Sequence, residues 1–148
     1  MYMNEFMKIA LEEARKGMKK RHGGPFGAVI VKDGKILAKS HNTVVKDRDA
    51  TCHAEINVIK QASKKLKSFD LSSCVIYTTG KPCKMCEGAI NWAKIKKVYY
   101  GNTYKEALIM CFNDETCNNE KLEMQRLDSS ETAKLVEEWQ DFPRKVTY

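Results

Sequence analysis

Short apolar runs alternate with amphipathic stretches along the chain, and that alternation predicts its elements. Between residue 4 and about residue 20, Phe6, Ile9, Ala10, Leu11, Ala14 and Met18 recur at helical spacing. Lys8, Glu12, Arg15 and Lys19 fall mostly on the other side, so a first amphipathic helix is predicted. Gly23-Gly24-Pro25 ends it. Phe26 to Lys32 contains the continuous apolar run Ala28-Val29-Ile30-Val31, the pattern of a strand buried on both faces. Asp33-Gly34 predicts a tight two-residue turn, and Lys35 to His41 an antiparallel partner strand. Asn42 to Ala50 reads as a polar loop.

A second helix is predicted from Thr51 or Cys52, with Ala54, Val58, Ile59 and Ala62 as its apolar stripe and His53 and Glu55 in its first turn. Cys74 to Thr79 reads as a strand. Pro82 suits the start of a helix running to about Trp92. Lys97 to Gly101 reads as a further strand and Tyr104 to about Met110 as a helix. This order predicts parallel strands joined by crossover helices. Phe112 to Asp128 carries no clear period. Glu131 to about Trp139, with Leu135, Val136 and Trp139, predicts a last helix that Phe142-Pro143 ends. With 148 residues and no repeat or linker, the chain reads as one domain spanning 1–148.

Composition narrows the class. Hydrophobic residues make up 43% and charged residues 30%, the balance of a soluble globular protein. No apolar stretch is long enough to span a bilayer. The start lacks a basic segment followed by an apolar run. Six cysteines without such a signal favour a reducing, cytoplasmic setting and metal-bound or free thiols over disulfides. The net charge of +7 invites a nucleic-acid partner. Much of it lies in Lys8, Arg15, Lys16, Lys19, Lys20 and Arg21, and in Lys60, Lys64, Lys65 and Lys67. No aromatic residues interleave with these cations as a base-stacking platform requires, so a solvated helix surface is the favoured reading and nucleic acid the disfavoured one.

Two short stretches carry the chemistry. Thr51-Cys52-His53-Ala54-Glu55 reads H-x-E, and Pro82-Cys83-Lys84-Met85-Cys86 reads P-C-x-x-C. One imidazole and two thiolates are three good zinc ligands, and a catalytic zinc keeps its fourth position for water. Zinc lowers the pKa of that water, so hydroxide forms near neutral pH. Glu55, two residues from a ligand, can sit beside the water and move its proton to a ring nitrogen and then to a departing amine. The plain alternative is a structural zinc site closed by Cys52 as fourth ligand. It leaves the Glu55 spacing and Pro82 unexplained.

These stretches resemble the zinc-dependent nucleobase deaminases of the cytidine deaminase superfamily. The resemblance narrows towards bacterial guanine deaminases through Gly23-Gly24-Pro25-Phe26-Gly27-Ala28-Val29-Ile30-Val31-Lys32-Asp33-Gly34, His53-Ala54-Glu55, Pro82-Cys83-Lys84-Met85-Cys86-Glu87-Gly88-Ala89-Ile90-Asn91-Trp92-Ala93, Phe112-Asn113-Asp114 and the final Tyr148. It implies an α/β fold, a three-layer α/β/α sandwich around a five-stranded mixed sheet. It implies a homodimer in which the segment from about 131 to 148 is exchanged between subunits. It implies one zinc per subunit on His53, Cys83 and Cys86, with Glu55 as proton shuttle. Asn42, Phe26, the Ala54 N–H, Trp92, Asp114 and a partner's Tyr148 are then expected around a nucleobase. Lys81, Cys52 and Cys111 depart from the family's usual residues at their positions, which bears on the substrate more than on the reaction.

Taken singly, these residues also have plainer readings: core packing for Phe26 and Trp92, a turn for Asn42, a loop acid for Asp114, a frayed end for Tyr148. His22 and His41 have no assigned role. The expected activity is hydrolytic deamination of guanine to xanthine and ammonia. The competing readings are a tRNA adenosine deaminase, another base or nucleoside deaminase, and a zinc module without catalysis.

Overall fold

Asn4 opens the fold. Its side chain accepts hydrogen bonds from the Phe6 and Met7 N–H groups at 3.0 and 3.1 Å and so caps helix α1 (Glu5–Lys19). The structure, a computed structural model, describes residues 2–109 and 123–145. Strands β1 (Gly27–Lys32) and β2 (Lys35–His41) form the predicted antiparallel hairpin. Asp33 and Gly34 turn it with φ of 50° and 69°, the left-handed pair such a turn demands and which glycine adopts without strain.

The predicted loop after β2 holds a one-turn helix, α2 (Val44–Asp47). The His22 carbonyl accepts from both the Val45 and Lys46 N–H groups, which supplies acceptors that a helix start otherwise lacks. The remaining elements follow in order: α3 (Ala54–Leu66), β3 (Cys74–Gly80), α4 (Lys84–Trp92), β4 (Lys97–Asn102), α5 (Tyr104–Ile109), β5 (Glu123–Arg126) and α6 (Ser129–Gln140). The last helix runs about a residue or two beyond its predicted bounds at each end. Strand β5 falls in the region whose sequence shows no clear period.

The sheet has the order β2-β1-β3-β4-β5. Strand β1 is antiparallel to both β2 and β3, while β3, β4 and β5 run parallel. Alternate β1 residues feed two cores, which explains its unbroken apolar run. Ala28 and Ile30 join Val58, Ala62, Ile76, Ile90 and Val98 on the side of α3 and α4. Val29 and Val31 join Met7, Leu11, Ala14, Tyr77 and Leu135 on the side of α1 and α6. The result is the expected three-layer α/β/α sandwich around a five-stranded mixed sheet. Leu11, Ile30, Ile76 and Leu135 are fully buried, and each contributes about 1.5–3 kcal/mol by leaving water.

This topology brings four chain segments to one end of the sheet. Gly27 pairs with His41, and its N–H donates to the Thr79 hydroxyl at 3.1 Å. The start of β1, the end of β2 and the end of β3 therefore lie together. The starts of α3 and α4 come to the same end. No described helix is long and apolar enough to cross a membrane.

Candidate active site

The two chemical motifs sit where helices begin, and both helices start two or three residues later than the sequence suggests, at Ala54 and Lys84. His53 is the N-cap of α3, with φ −66° and ψ 157°, and Cys83 is the N-cap of α4, with φ −71° and ψ 171°. Both are extended and lie outside the first helical turn, which corrects the placement of His53. Their carbonyls accept the first helical hydrogen bonds, from Asn57 at 3.0 Å and Glu87 at 2.8 Å. Their side chains cap nothing and turn to each other instead. Pro82 accordingly precedes the cap. Two helix N-termini point at one spot, and each favours negative charge there.

At that spot His53 Nδ1 lies 3.6 Å from Cys83 Sγ and 3.6 Å from Cys86 Sγ. The three donor atoms all lie within 4.8 Å of one another. Zinc at about 2.3 Å from sulfur and about 2.1 Å from nitrogen, with tetrahedral angles, sets N···S at about 3.6 Å. The donor spacing therefore fits the ion without rearrangement. Cys86 is fully buried, and His53 and Cys83 are partly exposed, which leaves an approach.

Acidity points the same way. The Cys83 thiol is pulled down to about 4, first by its hydrogen bond with Cys86 and then by His53, against the effect of burial. Cys86 is pushed far the other way by that same bond, by burial and by Glu55. One sulfur gives up its proton readily and the other holds it, because two buried negative sulfurs beside a carboxyl repel. A divalent cation among the three donors removes that conflict, and metal binding then releases the second proton.

Glu55 lies in the first turn of α3 and is 8% exposed. The Cys86 thiol donates to its Oε2 at 3.5 Å. Burial raises the Glu55 pKa; His53 opposes that and Cys83 adds to it. A carboxyl held towards the neutral range suits an acid–base shuttle. Cys52 does not close the cluster. It is buried, its thiol is raised by burial, and it faces Asp49 and Thr43. Among the described residues, the only group of donors close enough to share a metal is His53, Cys83 and Cys86.

The flanking residues separate into those that reach this end of the sheet and those that do not. Asn42 follows β2 and is 1% exposed; its Oδ1 accepts from the Val44 N–H at 3.0 Å, and its N–H donates to the Phe26 carbonyl at 3.0 Å. Its Nδ2 donates to none of the described residues. Phe26 leads into β1, and its ring packs against Gly80, one turn of chain before the cysteines. Ala54 begins α3, so its N–H has no intrahelical carbonyl to bond. Trp92 does not join this group. It ends α4, at the far end of the helix from Cys83, and is 86% exposed. Asp114 and Tyr148, with Phe112 and Cys111, lie outside the described residues. A cavity of about 220 Å³, lined by Met18, Gly23, Val45, Trp139 and Phe142 among others, contains none of the metal donors.

One supporting residue is not legible as such in the sequence. Asn57, one turn into α3 from His53, donates its amide to the His41 carbonyl at 3.0 Å, the Thr43 hydroxyl at 2.8 Å and the Cys52 carbonyl at 3.3 Å. It pins the segment that carries Asn42. A polar residue within the helix's apolar stripe is its only sequence signal. The lysines that suggest nucleic acid are exposed along α1 and α3, as a solvated surface requires.

Comparison with known proteins agrees with this geometry. The family described as the cytidine and deoxycytidylate deaminase zinc-binding region matches residues 2–102. The guanine deaminase of Bacillus subtilis (strain 168) is 36% identical over 151 aligned positions, covering 97% of each chain. The tRNA-specific adenosine deaminase of Aquifex aeolicus (strain VF5) is 36% identical over 138 positions, covering 90% of this chain and 91% of its own. The crystal structure of the Bacillus subtilis guanine deaminase superposes with a TM-score of 0.73 at 36% identity, covering 99% of each chain. A guanine deaminase structure from Nitrosomonas europaea shares the fold, with a TM-score of 0.85 at 24% identity over 94% of this chain and 86% of that one.

Proposed function

The chain belongs to the cytidine and deoxycytidylate deaminase family and is a zinc-dependent hydrolytic deaminase, and from that premise we propose that its substrate is a free purine base, guanine, which it converts to xanthine and ammonia. The observation that carries the chemistry is the buried Glu55 carboxyl, 3.5 Å from a sulfur of a three-donor metal cluster whose fourth side no described protein donor fills. Guanine as the base is supported by the likeness to a guanine deaminase along almost the whole of both chains.

His53, Cys83 and Cys86 would hold the zinc ion, which when bound lowers the pKa of a water and so supplies the nucleophile. Glu55 would hold the proton given up by the attacking water and deliver it to N3 of the ring. It would then move a second proton to the departing amine, so that overall water enters and ammonia leaves. Asn42 Nδ2 and the Ala54 N–H donate to acceptors on the base, and Phe26 packs against its ring. Asp114 reads the Watson–Crick edge of the base. A site built to pair with polar edges rejects bases that lack them.

The assembly belongs to the same reading. Met85 and Trp92 lie seven residues apart on α4, so they share one helix face, and both are exposed, Trp92 to 86%. A second copy of the chain covers this face in a homodimer. Within one chain α6 packs on its own core through Leu135, and Arg15 pairs with Glu138 at 2.8 Å. An exchange of the segment from about 131 to 148 makes the same contacts between subunits and brings Tyr148 to a neighbour's pocket.

Zinc-loaded protein is mixed with guanine, adenine, cytosine and their nucleosides, and ammonia is measured. Release from guanine, with xanthine formed, is the expected result. Release from cytosine and not guanine overturns the choice of base and leaves the chemistry standing. A second reading, deamination of adenosine in tRNA, is favoured by the net charge of +7 and by relatives such as the Aquifex aeolicus enzyme. Inosine formed in tRNA, with binding that weakens steeply with salt, would establish it instead.

A further inference from the structure

We propose that the hydrogen-bonded chain Glu13–His41–His22 is a positioning device that holds Asn42 in its base-binding place and so sets the affinity for the base. The inference rests on the reading of Asn42 as a base-binding residue. None of the three side chains belongs to the metal cluster, and none has a part in the reaction as described.

The geometry is continuous. Glu13, on α1, is 6% exposed and His41, at the end of β2, is 9% exposed. His41 Nδ1 lies 3.0 Å from Glu13 Oε2, and His41 Nε2 lies 2.9 Å from His22 Nδ1. With Glu13 accepting from His41 Nδ1–H, His41 Nε2 is left to accept from His22 Nδ1–H, so both nitrogens of the His41 ring are bonded. The two rings are stacked at 26° with centroids 5.2 Å apart. Hydrogen-bonded polar groups that are largely buried, as Glu13 and His41 are, fix one arrangement of the chain that bears them.

What they fix is the pair of segments on either side of Asn42. His41 is its neighbour in sequence. His22 precedes Gly23, and Gly23 packs so tightly on Asn42 that a Cβ there would lie 2.1 Å from Asn42 Oδ1. The imidazole–imidazole bond therefore ties residues 22–23 to residues 41–42 where they clasp the amide. Gly17 belongs to the same device, because a Cβ at that position would lie 2.4 Å from the His41 ring. The His22 carbonyl anchors α2 just beyond Asn42, and Asn57 holds the His41 carbonyl from the opposite side. A side chain held through its Oδ1 and by Gly23, whose Nδ2 donates to none of the described residues, presents that donor at no further ordering cost, which is how preorganisation raises affinity.

The test is a double-mutant cycle on the zinc-loaded enzyme, with KM and kcat measured on guanine or on whichever base the ammonia panel identifies. Asn42→Ala is expected to raise KM about tenfold. His22→Phe, which keeps the ring and loses the bond, is expected to raise KM by about five- to tenfold with kcat within about twofold and zinc content unchanged. The double variant is expected to be no worse than Asn42→Ala alone, since both act through one contact. His22→Gln, whose amide can renew the bond, recovers most of the native KM. A raised KM for Asn42→Ala with an unchanged or strictly additive effect of His22→Phe overturns the positioning role and leaves Asn42 as a binding residue. An unchanged KM for Asn42→Ala removes Asn42 from binding and the proposal with it. Should His22→Phe fail to fold, ¹⁵N spectra of the histidine rings in the native protein decide. Bonded, single-tautomer signals for His22 and His41 support the device, and two freely averaging imidazoles overturn it.

Discussion

The Glu55 carboxyl receives a hydrogen bond from the Cys86 thiol at 3.5 Å, across the start of two different helices. That contact places an acid–base group on the flank of the metal donors without making it one of them. Glu55→Gln keeps the shape and removes the titration. The expected outcome is a folded protein that still carries about one zinc per chain and whose kcat falls by about 10²–10⁴-fold. Metal analysis alongside steady-state kinetics checks both halves.

Gly23 lies against Asn42 with no room for a methyl group. Gly23→Ala is expected to cost about 1–3 kcal/mol of stability through overpacking and to raise KM about tenfold by displacing the amide. Thermal melts and kinetics on the same preparation measure the two effects separately. A variant with native KM would show that Asn42 does not depend on this packing.

A pH-dependent contribution comes from Glu106. Its Oε2 accepts from the Thr103 N–H and hydroxyl, both at 2.6 Å, and Arg126 donates to it from the end of β5. Burial raises its pKa, but the bonds from Thr103 and the charge of Arg126 outweigh that and hold it below its ordinary 4.5. A carboxyl with a lowered folded pKa contributes stability above the unfolded value, and that contribution is lost as pH falls through the folded value. Glu106→Gln is therefore expected to cost about 0.5–1 kcal/mol near neutral pH, since the group is partly exposed. The difference from the native protein should shrink in melts taken towards about pH 3.5. A gap that widens with acid contradicts the assignment.

The exposed face of α4 carries the assembly proposal. Trp92→Glu places a charge on the face that a second copy is proposed to cover. The expected outcome is a sedimentation velocity run in which the native protein is a dimer and the variant a monomer of native fold. A native protein that sediments as a monomer contradicts the proposal.

Much of the fold is legible in the sequence because its signals are local. The helical repeat of Phe6, Ala10, Ala14 and Met18, the Asp33-Gly34 turn and the double-sided apolar run of β1 each report a single element. The metal donors are legible for the same reason, being two short motifs whose residue types have few other uses together. What escapes is set by tertiary contacts. His53 and Cys83 are helix caps and not first-turn residues, because the cluster draws their side chains away from the backbone. The α2 turn inside a polar loop depends on the His22 carbonyl, which lies well before it in sequence and accepts from Val45 and Lys46. Trp92 looks like a pocket residue within a motif, yet the helix it ends carries it to the surface. The Glu13–His41–His22 chain joins three elements at separations that no periodicity reports.

The central claim is a zinc ion bound by one imidazole and two thiolates with its fourth position open to water. X-ray absorption at the zinc edge of the loaded protein tests it most directly. The account predicts two sulfurs at about 2.3 Å and two lighter nitrogen or oxygen atoms at about 2.0–2.1 Å. A third sulfur in the shell, with Cys52 as its obvious source, would contradict it.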